Sequence, residues 1–298
     1  MPVDVVGDES QVSVHDLVIK PIEGESFVFD PQKDIPKEVK DKAIKYVKDN
    51  KDIARFNYID VFYKLCITYA LLFPEERDKL QLNERHKSVY LAHVGPPGDN
   101  KNIDKFAYLA KCRNAIALDP DLRYDLPIIP NDRYKKECLE LLEGYRNNRQ
   151  WDMFLSLSEG VLSVYPETKD KVRELTVGRE KTILDNIALE KEGGVGNYLF
   201  RLARLRMVNP QIFDQFDFTL QDFQKLRDHL EESGKKNQSG LGDVFALYVY
   251  FDFAYYLNII TAEEVGVNED GIYIKVEQGR RGKIEGSPEK PLPERRRY

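Results

Sequence analysis

Leu71-Leu72-Phe73-Pro74, Ala117-Leu118-Asp119-Pro120, Ser163-Val164-Tyr165-Pro166 and Met207-Val208-Asn209-Pro210 share one form, an apolar helical run that stops at a proline. The four prolines lie 46, 46 and 44 residues apart. Two residues before each stand Leu72, Leu118, Val164 and Val208, and eight before stand Cys66, Cys112, Ser158 and Leu202. A compact residue at three of those last four permits close helix packing. A fixed interval marks a repeated supersecondary unit. One amphipathic helical hairpin cannot bury its apolar face alone, whereas stacked hairpins cover one another and extend a continuous core. Proline just past a helix end blocks continuation and sets the turn into the next unit. The expected fold is mainly α, a stack of helical hairpins of the α-solenoid kind, with small β elements near both termini.

Working outward from these runs, apolar periodicity predicts helices at about 36–49, 57–73, 76–92, 103–118, 131–147, 151–165, 168–191, 197–208, 219–233 and 243–260. Gly- and Pro-rich breaks at 95–100, 125–130 and 234–240 separate them. Before the helices, Asp16-Leu17-Val18-Ile19-Lys20 and Ser26-Phe27-Val28-Phe29-Asp30 are β-like runs around a turn. After them, Thr261-Ala262-Glu263-Glu264 has the form of a capping box and predicts a short helical turn. Val267 to Val276 contains Asp270-Gly271 before an alternating apolar strand. The organisation that follows is an extended arm at 1–35, a helical domain at 36–261, a β element at 262–278 and a flexible basic tail at 279–298.

The unit from Cys138 to Pro166 resembles a tetratricopeptide repeat. Leu141 and Tyr145 lie on its first helix, Trp151 opens the second and Pro166 closes it. Ala115 with Leu118-Asp119-Pro120, within residues 107–120, is similar to the second-helix ending of the same family. Phe154 and Val161 stand where that family has Ala, Leu142 replaces its glycine, and 46 residues exceeds its usual repeat length. The resemblance implies a concave surface that binds another protein or a peptide, with Tyr145, Arg146, Arg149 and Trp151 as its contact residues.

Composition narrows the function. The 298 residues are 42% hydrophobic and 32% charged, as in a folded chain with a solvated surface. With 45 Lys+Arg against 51 Asp+Glu the net charge is -6, which gives no general attraction to polyanions. The segment from Gly279 departs from that balance. Arg280, Arg281, Lys283, Lys290, Arg295, Arg296 and Arg297 outnumber its three Glu, leaving +4 there and -10 elsewhere. A nucleic-acid-associated protein acting through this tail is therefore an alternative. Three Cys without a Cys-x-x-Cys pair argue against disulfides and thiolate zinc, and point to a reducing, cytoplasmic setting. The N-terminus lacks the pattern of a secretory signal. The apolar stretch Val244 to Ile260 carries four Tyr, Asp252 and Asn258 and is expected to be a buried helix rather than a membrane span. Its aromatic run, Phe245–Tyr256, has no basic neighbour and is expected to pack in the core.

No catalytic motif emerges. His86 and His93, seven residues apart on one predicted helix, lie about 10.5 Å apart along the axis, too far for one metal even with Glu84 nearby; they are expected to be solvated or partner-facing. Gly193-Gly194-Val195-Gly196-Asn197 lacks the strand and the Lys-Ser/Thr pair of a phosphate loop, and predicts a turn between helices. The pairs Glu75-Glu76, Glu231-Glu232 and Glu263-Glu264 point about 100° apart on a helix and do not converge. No catalytic residue, metal ligand or cofactor site is assigned. The expectation is a protein-binding or scaffold protein, with an enzyme of unrecognised site as the further alternative.

Overall fold

The computed structural model describes residues 29–50, 59–95, 102–126, 131–193, 195–216, 219, 221–222, 225, 242–268 and 271–275. Four helix pairs run along the chain: α2 (Lys37–Asp49) with α3 (Ile59–Leu72), α4 (Glu84–Val94) with α5 (Asn102–Leu118), α6 (Asp132–Asn147) with α7 (Trp151–Val164), and α9 (Glu180–Gly193) with α10 (Val195–Val208). Short helices α1 (Pro31–Asp34), α8 (Lys169–Glu174) and α11 (Pro210–Phe213) intervene, and α12 (Gly242–Thr261) follows. The only strands among the described residues are β1 (Glu264–Asn268) and β2 (Gly271–Lys275). The protein is mainly α.

The two helices of each pair differ in apolar pattern, and that difference decides their layer. In the first member buried residues recur about every fourth position: Val39, Ala43 and Val47 in α2; His86, Tyr90 and Val94 in α4; Tyr134, Cys138 and Leu142 in α6. One stripe serves one neighbour. The second member is buried on several sides, as in α7, where every residue from Leu157 to Val164 is buried. These inner helices pack in chain order, α3 on α5, α5 on α7 and α7 on α10. The predicted compact positions Cys66, Cys112 and Ser158, with Leu202, are all inaccessible to solvent. Beside Ser158, a Cβ on Gly160 would meet Leu109 Cβ at 3.0 Å, so glycine permits the close approach of α5 and α7.

The proline boundaries repeat in geometry as well as in spacing. Phe73, Asp119, Tyr165 and Asn209 each donate their N–H to the carbonyl four residues back, closing the inner helix at 2.7–3.0 Å. Each then leaves the helical conformation with φ between -124° and -154°. The following proline opens a 3-10 turn (Pro74–Leu80, Pro120–Asp125, Pro166–Thr168) or α11. Proline suits that first position because it lacks the N–H that would go unsatisfied. It therefore starts a new turn as well as ending the old helix.

α12 crosses the inner layer. It packs most extensively on α3 and also on α10, the first and last inner helices. Phe251 meets Tyr69 and Phe73 of α3 with ring centres 5.9 and 6.3 Å away, while Tyr256 meets Phe200 of α10 at 4.8 Å. This helix is long and apolar enough to cross a membrane by composition, but 72% of its apolar window is buried within the protein. Its aromatic run packs as expected, with Tyr250, Phe251, Phe253, Tyr255 and Tyr256 buried and Phe245 and Tyr248 half-buried.

Several expectations need correction. The predicted helix 168–191 is two helices, α8 and α9, because the chain turns at 175–179 with Gly178 at φ 71°. The predicted helix 76–92 begins only at Glu84, where Asn83 caps it. No helical turn follows Thr261. Its hydroxyl donates to Leu257 O at 3.0 Å and accepts Phe29 N–H at 3.1 Å, and β1 starts at Glu264. β1 pairs with β2 in an antiparallel hairpin, Val265 opposite Ile274 and Val267 opposite Ile272. Residues 16–20 and 26–28 of the β-like runs, most of the predicted helix 219–233 and the basic tail fall outside the described residues; Phe29 and Asp30 precede α1 without forming a strand.

The turn from α6 to α7 yields a test. Arg149 has φ 58°, and Gln150 N–H reaches back to Tyr145 O at 2.9 Å, a helix ending that normally recruits glycine. Arg149 is exposed, so its side chain contributes little packing. Arg149→Gly is expected to stabilise the protein by about 0.5–1 kcal/mol, measured by urea unfolding. Unchanged or lower stability would show that the left-handed conformation carries no strain.

Candidate functional site

The four residues expected on a binding face are not presented together. Tyr145 is 9% and Trp151 1% exposed, and Trp151 packs edge-on to Phe154 at 5.4 Å; both belong to the core. Arg146 is half-buried and only Arg149 is fully at the surface. Arg280, Arg281, Lys283, Arg295, Arg296 and Arg297 lie outside the described residues. His86 is not solvated as expected. It is buried at the start of α4, paired with the capping Asn83, while His93 is exposed. Burial pushes the thiols of Cys112 and Cys138 up to about 12 and raises that of Cys66 further, so none supplies a thiolate nucleophile.

What the fold does bring together is a buried charge cluster that sequence reading missed. Glu159 of α7 is 3% exposed. It pairs with Arg113 of α5, accepts from Arg204 Nε of α10 at 2.7 Å and accepts the Tyr256 hydroxyl of α12 at 3.1 Å. Arg204 also donates to Ser156 Oγ at 2.7 Å. Arg113 stands seven residues before Pro120 and Glu159 seven before Pro166. The repeat interval itself therefore sets cation and carboxylate side by side on adjacent helices. Burial pushes the Glu159 carboxyl up, but Arg113 and Arg204 outweigh it and hold the group below its ordinary range. A carboxylate so paired is a structural anion, poorly suited to accept a proton in catalysis. Asp252, one turn before Tyr256, is half-buried, and there burial wins over Arg113, raising its carboxyl to about 6.

Above this cluster opens a cleft of about 580 Å³. Its walls are the ends of the inner helices (Leu71, Ile116), the turn carrying Arg77, and strand β2 (Ile272, Ile274). The hairpin is held there by α10, whose Arg206 donates to Ala262 O and Glu263 O. Arg113 borders both this cleft and a 120 Å³ recess beside Glu159. Asn258 of α12 also lines the cleft; it is 4% exposed and its side-chain oxygen has no hydrogen-bond partner among the described residues. Arg77 Nε is likewise buried without one. A second cleft of about 510 Å³ lies on the β1 side, bordered by Arg123 and Tyr124. Arg123 is committed to capping α7, donating to Val164 O at 2.6 Å.

The described residues contain no group of three or more His, Cys, Asp or Glu arranged to hold a metal. No family model, no curated protein and no solved structure matches this chain.

Two predictions follow from the charges. Glu159→Gln leaves two guanidinium groups without their shared carboxylate and is expected to cost about 3–5 kcal/mol in urea unfolding at pH 7. A loss below about 1 kcal/mol would remove the cluster from the core's essential contacts. Asp252 has the opposite sign. Its folded value of about 6 exceeds its ordinary 3.8, so the native state holds the proton more tightly and stability falls as pH rises through that window. Asp252→Asn is expected to gain about 1–2 kcal/mol at pH 7.5, partial exposure reducing the effect, with the gain vanishing near pH 3.5.

Proposed function

We propose that this protein is a non-catalytic binding module whose partner is another protein, held in the cleft between the proline turns and the β hairpin. The inner helix layer is already covered by α12, so the accessible recess lies at the edge of the stack. The observation that carries the proposal is the cleft itself: a volume in the range of ligand sites, apolar walls, and a few polar groups without partners. Strand β2 forms one wall of the cleft, where a partner segment can meet main-chain donors and acceptors as well as side chains. Three buried free thiols are in keeping with a reducing compartment.

The test is capture of cross-linked partners by the wild-type chain and by Ile272→Arg, with circular dichroism and a thermal melt showing that the variant is folded. A protein partner recovered by the wild type and reduced at least tenfold with the variant is the expected result. Equal recovery by both would move binding away from the cleft.

A further inference from the structure

We infer that the acidic segment 1–28 and the basic segment 279–298 bind each other within one chain, so that the first withholds the second from polyanions. Both segments lie outside the described residues, but the points where they join the fold are described. Phe29 is inaccessible to solvent and donates its N–H to Thr261 Oγ1, at the end of α12, at 3.1 Å. Lys275 closes β2 opposite Glu264, which stands three residues after Thr261. Three residues span at most about 11 Å and paired strands lie about 5 Å apart, so the two junctions are within roughly 25 Å of each other. They also border one cleft, with Asp30 and Pro31 on one side of it and Ile272 and Ile274 on another.

Charge makes the two segments complementary. Residues 1–28 hold Asp4, Asp8, Glu9, Asp16, Glu23 and Glu25 against Lys20 alone, a net of -5, while residues 279–298 carry +4. The 250 residues between them also come to -5, so the short first segment holds as much net acid as all of that length. Charges are screened beyond about 8 Å at physiological salt, and the thinly spread acid of the body therefore acts weakly on the tail. A tethered segment instead works at an effective concentration of about millimolar. Arg280 is five positions past Lys275 and Glu25 is four before Phe29. Those lengths together reach about 30 Å, enough to meet without strain. Single exposed ion pairs contribute little, so the contact depends on several forming at once and weakens with salt.

The experiment measures binding of a labelled single-stranded oligothymidine at low salt, as a probe of tail exposure, to full-length chains shown to be folded by circular dichroism. One variant converts the six acids of residues 1–28 to Asn or Gln. A second adds Arg280, Arg281, Arg295, Arg296 and Arg297→Gln. A control instead converts six exposed acids of the body, Glu38, Asp49, Glu140, Glu143, Asp170 and Glu174, to their amides. The first variant is expected to bind the probe at least tenfold more tightly than the wild type, the second to lose that gain, and the control to gain less than about threefold. In the wild type, carbodiimide coupling is expected to join Lys283 or Lys290 to acids of residues 4–25, and in a mixture of isotopically heavy and light chains to do so only within one chain. No gain in the first variant, a gain that survives loss of the tail arginines, or an equal gain in the control overturns the proposal. Absence of these couplings overturns it as well, and couplings between heavy and light chains replace it with association between copies.

Discussion

The buried carboxylate of Glu159 imposes the condition that the rest of the structure meets. Removing an ion from water costs several kcal/mol unless its partners are well placed. Here they arrive from three other helices: Arg113 from 46 residues earlier, Arg204 from 45 later and Tyr256 from 97 later. A slip of one residue along any of these helices turns the side chain by about 100° and breaks the contact. The cluster therefore fixes the rotational setting of four long elements at once, which apolar contacts among Leu, Ile and Phe specify less sharply.

The same layer creates a second requirement, because inner helices buried on one side by their pair partners still expose apolar surface on the other. α12 supplies that cover from within the chain, reaching from Phe251 on α3 to Tyr256 on α10. Its docking turns that face of the inner layer into core. The hairpin follows within three residues of α12, tied back by Arg206 to the last inner helix. The position of the cleft is thus a consequence of how the layer is closed.

Much of the fold was legible because the signals were local and repeated. Proline spacing located the inner helix ends, and the positions two and eight residues before each proline are buried in all four units. Errors came where one residue overrode periodicity: Gly178 broke a predicted helix, and Thr261 spent its hydroxyl on Phe29 and Leu257 rather than on a cap. The charge cluster was missed for a different reason. Arg113 and Glu159 differ by the very repeat interval that the prolines define, so the signal was present, but charged residues inside apolar helices look like solvated positions until burial is known. Tyr145 and Trp151 failed as contact residues because aromatic positions in a hairpin fill the space between helices before they reach a surface.

Repetition also carries a danger that the cluster counters. Units of similar length and apolar pattern can pair out of order, and misassembly between like units is a characteristic failure of repeat chains. Seven residues before the four prolines stand Ile67, Arg113, Glu159 and Ala203. Only the second and third units can form an ion pair at that level, and the fourth contributes its cation one position later, at Arg204. Pairing the first unit with the third would put Ile67 in place of Arg113 and leave Glu159 to Arg204 and Tyr256 alone. The sharing of one carboxylate thus penalises orders that separate α7 from α5 or from α10, in keeping with the use of buried polar groups to specify an arrangement.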